Sequence, residues 1–354
     1  MSARAKVLVV GPSWVGDMVM AQALYRVLAA RVPSPEIHVL APPWSLPLND
    51  RMSEVAKSIE LAAGHGELKL ALRRSLGVGL RAERYDEAIV LPRSLKAALV
   101  PWFARIPKRT GFRGEWRYGL LNDVRELDRT RLDQTVKRFV ALGLDAGAAP
   151  PAALPAEWQP RLRVDEANLA RLKREHGLGG EPLVALMPGA EYGPAKRWPA
   201  QSFAALAQTL AHTGRTVLLL GSAKERDLGE EIRAHVDSAR VRNLCGATTL
   251  GDVVDLLAAS DAAVSNDSGL LHVAAAAGTR VVAIYGSSSP AFTPPLTPHA
   301  AIIYLGIECS PCFARECPLG HLRCLREIAP GDVLKAVESL LATPRARAAG
   351  AARD

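Results

Sequence analysis

The chain has 354 residues, of which 49% are hydrophobic and 23% are charged, and its formal net charge is +8. This composition is typical of globular proteins and excludes a disordered chain, a coiled coil and a fibrous protein. No apolar run approaches the ~18 residues of a membrane helix. The apolar run at residues 7–10 is too short for the core of a signal peptide. We therefore expect a cytoplasmic protein whose five cysteines are reduced or serve a site.

Short apolar runs alternate with helical patterns along the chain. In the first half, strands are predicted at residues 6–10, 36–41 and 87–91, with a helix over 17–31. Prolines make residues 146–160 a linker. In the second half, strands are predicted at residues 183–187, 216–220, 262–265 and 281–285, and helices over 165–176, 200–212, 224–236, 249–259 and 270–277.

This alternation predicts an α/β protein with two Rossmann-like, doubly wound domains that face a cleft. The first domain, with its linker, is expected over residues 1–160, the second over 161–342, and a disordered tail over 343–354. Ligands of such sheets bind beyond the carboxyl ends of the strands, so the loops that follow strands are the places to seek chemistry.

The positive charge lies entirely in the first half. Residues 1–150 contain 23 lysines and arginines against 15 acidic residues, whereas residues 151–354 contain 21 of each. Eleven basic side chains fall within residues 71–117. Such an excess attracts anionic partners: nucleic acid, an anionic membrane, or a phosphorylated or carboxylated substrate. A solvated basic face without a ligand is the alternative.

The loop after the first strand contains Asp17. Gly11 and Gly16 have the spacing of a P-loop, but Asp17 and Met18 follow where a P-loop has lysine and serine or threonine. A carboxylate repels phosphate, so an ATPase is rejected. Asp17 is either a helix cap or a general base that faces the cleft.

Two later loops suit an anionic ligand. Lys196 and Arg197 precede a helix start, where cations are unfavourable unless an anion is bound. Asp267, Ser268 and Gly269 open another helix, whose N–H groups suit a pyrophosphate, with Asp267 available to sugar hydroxyls. His272 contacts a ligand or is simply buried, and Glu225 is a candidate for a ribose diol.

The cysteines near the C-terminus are the last candidate site. Cys309, Cys312, Cys317 and Cys324 could ligate zinc or an iron–sulfur cluster, but their spacing does not match a zinc ribbon. Free thiols are therefore expected here, with no stoichiometric metal.

These motifs resemble those of glycosyltransferase family 9, the ADP-heptose:lipopolysaccharide heptosyltransferases. The resemblance covers residues 4–340 and rests on six segments: residues 11–22, 41–47, 91–95, 187–199, 265–272 and 309–318. It implies a GT-B fold, with acceptor bound by the N-terminal domain and donor by the C-terminal one. It also implies inverting transfer of L-glycero-D-manno-heptose from ADP-heptose to the first heptose of the inner core, on Kdo2-lipid A, with no cofactor and no tightly bound metal.

The resemblance also implies roles for individual residues. Asp17 would be the base, and Lys196 would contact the diphosphate. Donor contacts would come from Glu225, Thr248, Asp267, Ser268, Gly269 and His272. Because the first half is basic, we also expect it to meet the anionic acceptor and an anionic membrane at the inner face of the inner membrane. The candidate acceptor contacts are Ser13, Trp14, Arg93, Arg105, Lys108 and Arg109.

Two other classes of function remain open at this point. A sugar-nucleotide epimerase of similar architecture would not need the basic half. A nucleic-acid-binding protein would use it, although no recognised RNA-binding signature is present and no nucleic-acid partner is expected.

Overall fold

The structure is a computed structural model that describes residues 4–64, 66–148 and 150–343. Nearly all of the expected tail therefore lies outside the described residues. The strands are β1 (Lys6–Val10), β2 (Glu36–Ala41), β3 (Val55–Glu60), β4 (Glu87–Val90), β5 (Lys108–Phe112), β6 (Asp123–Arg125), β7 (Leu183–Met187), β8 (Thr216–Leu219), β9 (Val241–Asn243), β10 (Ala262–Asn266), β11 (Arg280–Tyr285) and β12 (Ala300–Tyr304). The helices are α1 (Val15–Ala29), α2 (Leu46–Asn49), α3 (Leu70–Gly79), α4 (Leu99–Phe103), α5 (Thr135–Gly143), α6 (Glu166–Glu175), α7 (Ala200–His212), α8 (Arg226–Ala234), α9 (Leu250–Ala259), α10 (Gly269–Ala276), α11 (Arg323–Arg326) and α12 (Pro330–Ala342).

The strands form two parallel sheets, which confirms the predicted fold class. The described strands of the first sheet run β3-β2-β1-β4-β5-β6, and those of the second run β12-β11-β10-β7-β8-β9. Counted from its own first strand, each sheet has the order 3-2-1-4-5-6 of dinucleotide-binding folds. The order in which successive strands are added to the sheet reverses between β1 and β4 in the first sheet and between β7 and β10 in the second. These switch points are where ligands of such sheets bind.

The central strands were predictable because both of their faces are covered. β1, β2, β7 and β10 bury almost every residue, so each appears in the sequence as a continuous apolar run. β3 and β12 lie at sheet edges and are only partly buried, and the sequence analysis did not find them. At the start of α9, Thr249 and Asp252 form a reciprocal capping box.

The two sheets are joined by a shared interface. One hydrophobic cluster contains buried residues of both halves, and α1 packs against α5 of its own domain and α10 of the other. Arg51 pairs with the fully buried Asp255 at 2.8 Å, and the Leu162 N–H donates to the Ala276 carbonyl at 2.9 Å. These contacts join the two domains. Among the described helices, none has the length and apolarity to cross a membrane.

Candidate active site

Two helix N-termini, one from each domain, meet at the centre of the molecule. A Cβ atom on Gly16 would lie 2.8 Å from Cδ2 of His272, and one on Gly269 would lie 2.8 Å from Cβ of Val15. Both glycines are therefore needed for the close approach of α1 and α10. Since helix N-termini carry partial positive charge, this junction favours a bound anion.

Asp17 lies in the first turn of α1 at this junction. The residue at the helix N-cap is Trp14, and no side-chain hydrogen bond caps the helix, so the structure does not use Asp17 as an N-cap. The side chain is partly buried. Burial raises the pKa of Asp17 to about 6, with the charge of Asp267 adding to the shift and the ammonium of Lys196 opposing it. A carboxylate with a pKa near neutrality can accept a proton more readily than an ordinary aspartate.

Lys196 and Asp267 form an ion pair across the switch point of the second sheet. Lys196 follows β7 and Asp267 follows β10, the two strands between which the strand order reverses. The Nζ atom of Lys196 lies 2.5 Å from Oδ2 of Asp267, and both side chains are largely buried. The sequence analysis treated Lys196 and Asp267 as separate ligand contacts, whereas the structure shows that they form an ion pair with each other.

Ser268 and His272 complete the start of α10. Ser268 is the N-cap residue, with its Oγ atom 3.3 Å from Oγ of Ser265. His272 is 5% exposed, and its Nδ1 atom has no hydrogen-bond partner among the described residues. Burial is the main cause that lowers the pKa of His272. Burial therefore favours the neutral imidazole.

The other donor candidates lie further along the same sheet edge. Glu225 follows β8, and its Oε2 atom accepts hydrogen bonds from the backbone and the hydroxyl of Ser222. Its Oε1 atom lies against Gly189, where a Cβ would be only 1.8 Å away. Thr248 follows β9, with its Oγ1 atom 3.5 Å from the Leu244 carbonyl. The candidates thus follow the sheet order from β10 through β7 and β8 to β9.

The acceptor candidates fall into two groups. Ser13 and Trp14 lie between β1 and α1, next to Asp17, and exposed Arg93 follows β4 on the other side of the first sheet's switch point. Arg105 precedes β5 and Lys108 begins it, at the opposite, amino edge of the sheet. The structure therefore does not bring Arg105 and Lys108 together with Asp17.

Arg109 is also remote from Asp17, and it has a structural role. Its guanidinium donates to the carbonyls of Ile106, Leu120 and Gly119. Arg117, a further member of the basic stretch, is 2% exposed and donates to the carbonyls of Pro92 and Phe112. Part of the basic charge seen in the sequence thus holds loops together.

The structure adds three residues that the sequence analysis did not single out. The Tyr192 ring lies between two cations, with Nζ of Lys196 at 5.1 Å and Cζ of Arg315 at 5.2 Å from its centroid. Trp44 is 43% exposed and donates from Nε1 to the Ser13 carbonyl at 2.9 Å. Exposed aromatic residues in the loops that follow strands are a signal that the sequence contains, but only the fold shows that these lie beside the charged junction.

Fold and site together define the class of protein. Two doubly wound domains set their switch points against each other, with a carboxylate from one domain and an ion pair from the other at the junction. This is the GT-B architecture of glycosyltransferases that use nucleotide sugars.

Comparison with known proteins places the chain within that class. The family model for glycosyltransferase family 9 (heptosyltransferase) matches residues 73–323. Lipopolysaccharide heptosyltransferase 2 of Salmonella typhimurium is 49% identical over 343 residues, covering 95% of this chain and 98% of that protein. Lipooligosaccharide heptosyltransferase 2 of Haemophilus influenzae is 44% identical, with 95% and 99% covered. The chain belongs to glycosyltransferase family 9.

A solved structure agrees with this assignment. The structure of E. coli ADP-heptose lps heptosyltransferase II superposes with a TM-score of 0.85 at 46% identity, covering 95% of this chain and 98% of that one. The family and the GT-B fold implied by the sequence motifs are confirmed. Neither the epimerase nor the nucleic-acid-binding alternative is supported by these relatives.

Proposed function

We propose that this glycosyltransferase moves L-glycero-D-manno-heptose from ADP-heptose to the first heptose of the lipopolysaccharide inner core, with inversion at the anomeric carbon. The observation that carries the proposal is the junction itself. Asp17, with a pKa raised to about 6, faces Lys196 and Asp267 of the other domain across two helix N-termini. Relatives named heptosyltransferase 2, up to 49% identical, support the choice of donor and acceptor.

Asp17 is proposed as the general base. The acceptor hydroxyl oxygen attacks the anomeric carbon while its proton passes to the Asp17 carboxylate. The bond from that carbon to the diphosphate oxygen breaks, and ADP departs with the electron pair. A positioned base of this kind contributes about 10²–10⁴-fold to the rate.

Lys196 is proposed to stabilise the leaving diphosphate. Its ammonium is held 2.5 Å from Asp267, beside the N–H groups at the start of α10. Negative charge that develops on the diphosphate would then meet the ammonium, the backbone N–H groups at Ser268 and Gly269, and the helix dipole. His272, whose buried Nδ1 atom has no hydrogen-bond partner among the described residues, is proposed as a further donor contact.

The remaining donor residues are proposed to hold the nucleoside. Glu225 and Thr248 lie after β8 and β9, on the side of β7 that faces away from β10. A donor whose diphosphate sits at the switch point would direct its ribose to Glu225 and its adenine towards Thr248. Oε2 of Glu225 stays in the capping box with Ser222, and Oε1 is the acceptor proposed for the ribose hydroxyls.

For the acceptor, we propose direct contact with Ser13, Trp14 and Arg93 at the carboxyl edge of the first sheet. Arg105 and Lys108 are assigned instead to the approach of an anionic surface, since they are exposed at the opposite edge. Basic residues near an anionic membrane contribute about 1 kcal/mol each. The enzyme would then work in the cytoplasm, peripherally at the inner face of the inner membrane, with no nucleic acid as partner.

The test is a transfer assay with a defined acceptor. Protein is incubated with ADP-heptose and Kdo2-lipid A bearing one heptose, and products are read by mass spectrometry. A gain of one heptose is expected, and Kdo2-lipid A without heptose serves as the control acceptor. Transfer to the heptose-free control alone would contradict the acceptor assignment, and binding of RNA in preference to ADP-sugar would contradict the class.

A further inference from the structure

Two cations share one aromatic ring beside the Lys196–Asp267 pair. The centroid of the Tyr192 ring lies 5.1 Å from Nζ of Lys196 and 5.2 Å from Cζ of Arg315. Lys196 is paired with Asp267, whereas the exposed guanidinium of Arg315 makes no ion pair and no hydrogen bond among the described residues. An aromatic face attracts a guanidinium without using its N–H groups. Arg315 therefore keeps all of its hydrogen-bond donors for a ligand.

The segment that carries Arg315 lies at the same sheet edge as the junction. Residues 305–322 follow β12 and cross the end of β11, where the Phe313 N–H donates to the Ser287 carbonyl at 2.6 Å. One cavity of about 20 Å³ is lined by both this segment and Ala195. The cysteines that line this cavity form no disulfide: Cys309, Cys312, Cys317 and Cys324. The segment thus packs directly on the loop that carries Lys196.

Three contacts fix the backbone of Arg315 against that loop. The Arg315 carbonyl accepts a hydrogen bond from the Ala195 N–H at 3.0 Å. A Cβ atom on Gly193 would lie 2.4 Å from the same carbonyl oxygen, so glycine is needed for this close approach. The Tyr192 hydroxyl donates to the Phe313 carbonyl at 2.8 Å. The position of the Arg315 backbone is therefore set by the loop between β7 and α7.

The charges at the junction leave room for a second cation. Each phosphate of a sugar-bound diphosphate carries a negative charge, and the diphosphate gains another when it leaves. The ammonium of Lys196 is already paired with the carboxylate of Asp267. Arg315 adds a positive charge that no carboxylate of the described residues pairs with. Its planar guanidinium can bind a phosphate through two parallel hydrogen bonds.

We propose that Arg315 binds the phosphate of ADP-heptose that is bonded to the sugar, and that Tyr192 is a positioning residue for Arg315 and Lys196. This inference rests on the proposed donor. The nucleoside is assigned to the loops after β8 and β9, whereas the segment of Arg315 crosses β11, on the opposite side of β7 and β10. Arg315 therefore meets the sugar end of the diphosphate, where charge develops as ADP departs.

The test compares ADP with AMP, which lacks the terminal phosphate. Binding of each nucleotide is measured by calorimetry for wild type and for Arg315→Ala. The variant should bind ADP about 10–100-fold more weakly, the range for a hydrogen bond to a charged group, and should bind AMP as wild type does. Retained AMP binding also shows that the variant is folded. Arg323→Ala is the matched control, because it removes the same charge from an arginine that is paired with Glu327, and it should leave both affinities unchanged.

The outcomes separate this inference from the proposed function. A wild-type protein that binds ADP no better than AMP would overturn the diphosphate site and Arg315 with it. If wild type prefers ADP, then an unchanged ADP affinity in Arg315→Ala, or equal losses for ADP and AMP, would overturn the role of Arg315 alone.

The positioning role of Tyr192 has its own pair of variants. Tyr192→Leu removes the ring and should weaken ADP binding by about 2–5-fold, the range for an exposed cation–π contact, without weakening AMP binding. Tyr192→Phe keeps the ring and should bind ADP as wild type does. Equal losses in the two variants would show that the hydroxyl, rather than the ring, matters and would overturn the positioning role.

Discussion

The two domains share one strand order but place their charge differently. Residues 1–150 carry the whole net charge of +8 and contribute Asp17, an acid, to the junction, whereas residues 151–354 are neutral and contribute the Lys196–Asp267 pair. In the first domain, Arg73, Arg109 and Arg117 are committed to backbone carbonyls. The comparison teaches that the net charge of a domain does not indicate where the candidate active site lies, whereas the topological switch point of its sheet does.

The sharpest way to break this comparison is to remove Asp17, the acid that the basic domain places at the junction. Asp17→Asn should lower kcat by about 10²–10⁴-fold, because the amide cannot accept the acceptor's proton. Affinity for ADP, measured by calorimetry, should stay close to that of wild type, since the diphosphate site lies in the other domain. Turnover within a few-fold of wild type would show that Asp17 is not the base.

The next effect is expected from the neutral domain. Lys196→Ala should weaken donor binding by about 1.5–3 kcal/mol, the range for a hydrogen bond to a charged group, and should lower kcat as well. It should also lower the melting temperature, because Asp267 is left buried and unpaired.

Lys196→Ala combined with Asp267→Ala is the matched control. Removing both partners should recover part of the stability without recovering turnover. Recovery of turnover in the double variant would mean that Lys196 serves only to neutralise Asp267.

The pH dependence of the wild-type enzyme tests the role of Asp17 without a substitution. The ionised form is the active one, so kcat/KM should fall by about tenfold per unit of pH below about 6 and level off above it. The fold raises the pKa of this group and thus disfavours its ionised form. Asp17 therefore costs stability above about pH 6 and costs none below its unfolded pKa of about 3.9. Asp17→Asn should accordingly melt higher than wild type at pH 8, and an unchanged melting temperature would contradict the raised pKa.

The smallest effects are expected among the exposed arginines and lysines of the first domain. Arg93→Ala, at the carboxyl edge, should raise the acceptor KM several-fold and leave the donor KM unchanged. Lys108→Ala, at the amino edge, should leave KM for a detergent-solubilised acceptor unchanged and weaken only binding to anionic vesicles. That vesicle binding should fall as salt rises, since exposed charges are screened beyond about 10 Å at 0.1 M. Equal effects of both variants on acceptor KM would remove the distinction between the two edges.

Much of the fold and part of the candidate site were predictable. The central strands and the helix start at Ser268–Gly269 follow from apolar runs and turn residues that any reader of the chain can find. The remote position of Lys108 was not predictable. The distribution of basic residues along the sequence does not show at which end of a strand a side chain lies. The structural use of Arg109 and Arg117 was equally hidden, since an arginine that binds carbonyls and one that binds a ligand look the same in sequence.

By itself, the sequence determined the two-domain α/β fold, the family and the identity of the loops that follow β1, β7 and β10. It could do so because buried parallel strands need continuous apolar runs, and tight strand-to-helix turns need glycine, proline and capping residues. Only the tertiary structure decided that Lys196 and Asp267 form one ion pair and that the His272 ring lies against Gly16, where a Cβ atom would not fit. It also decided that four irregularly spaced cysteines line a single cavity. Those relations join residues far apart along the chain, and through-space distances depend on how the whole sheet and its helices pack.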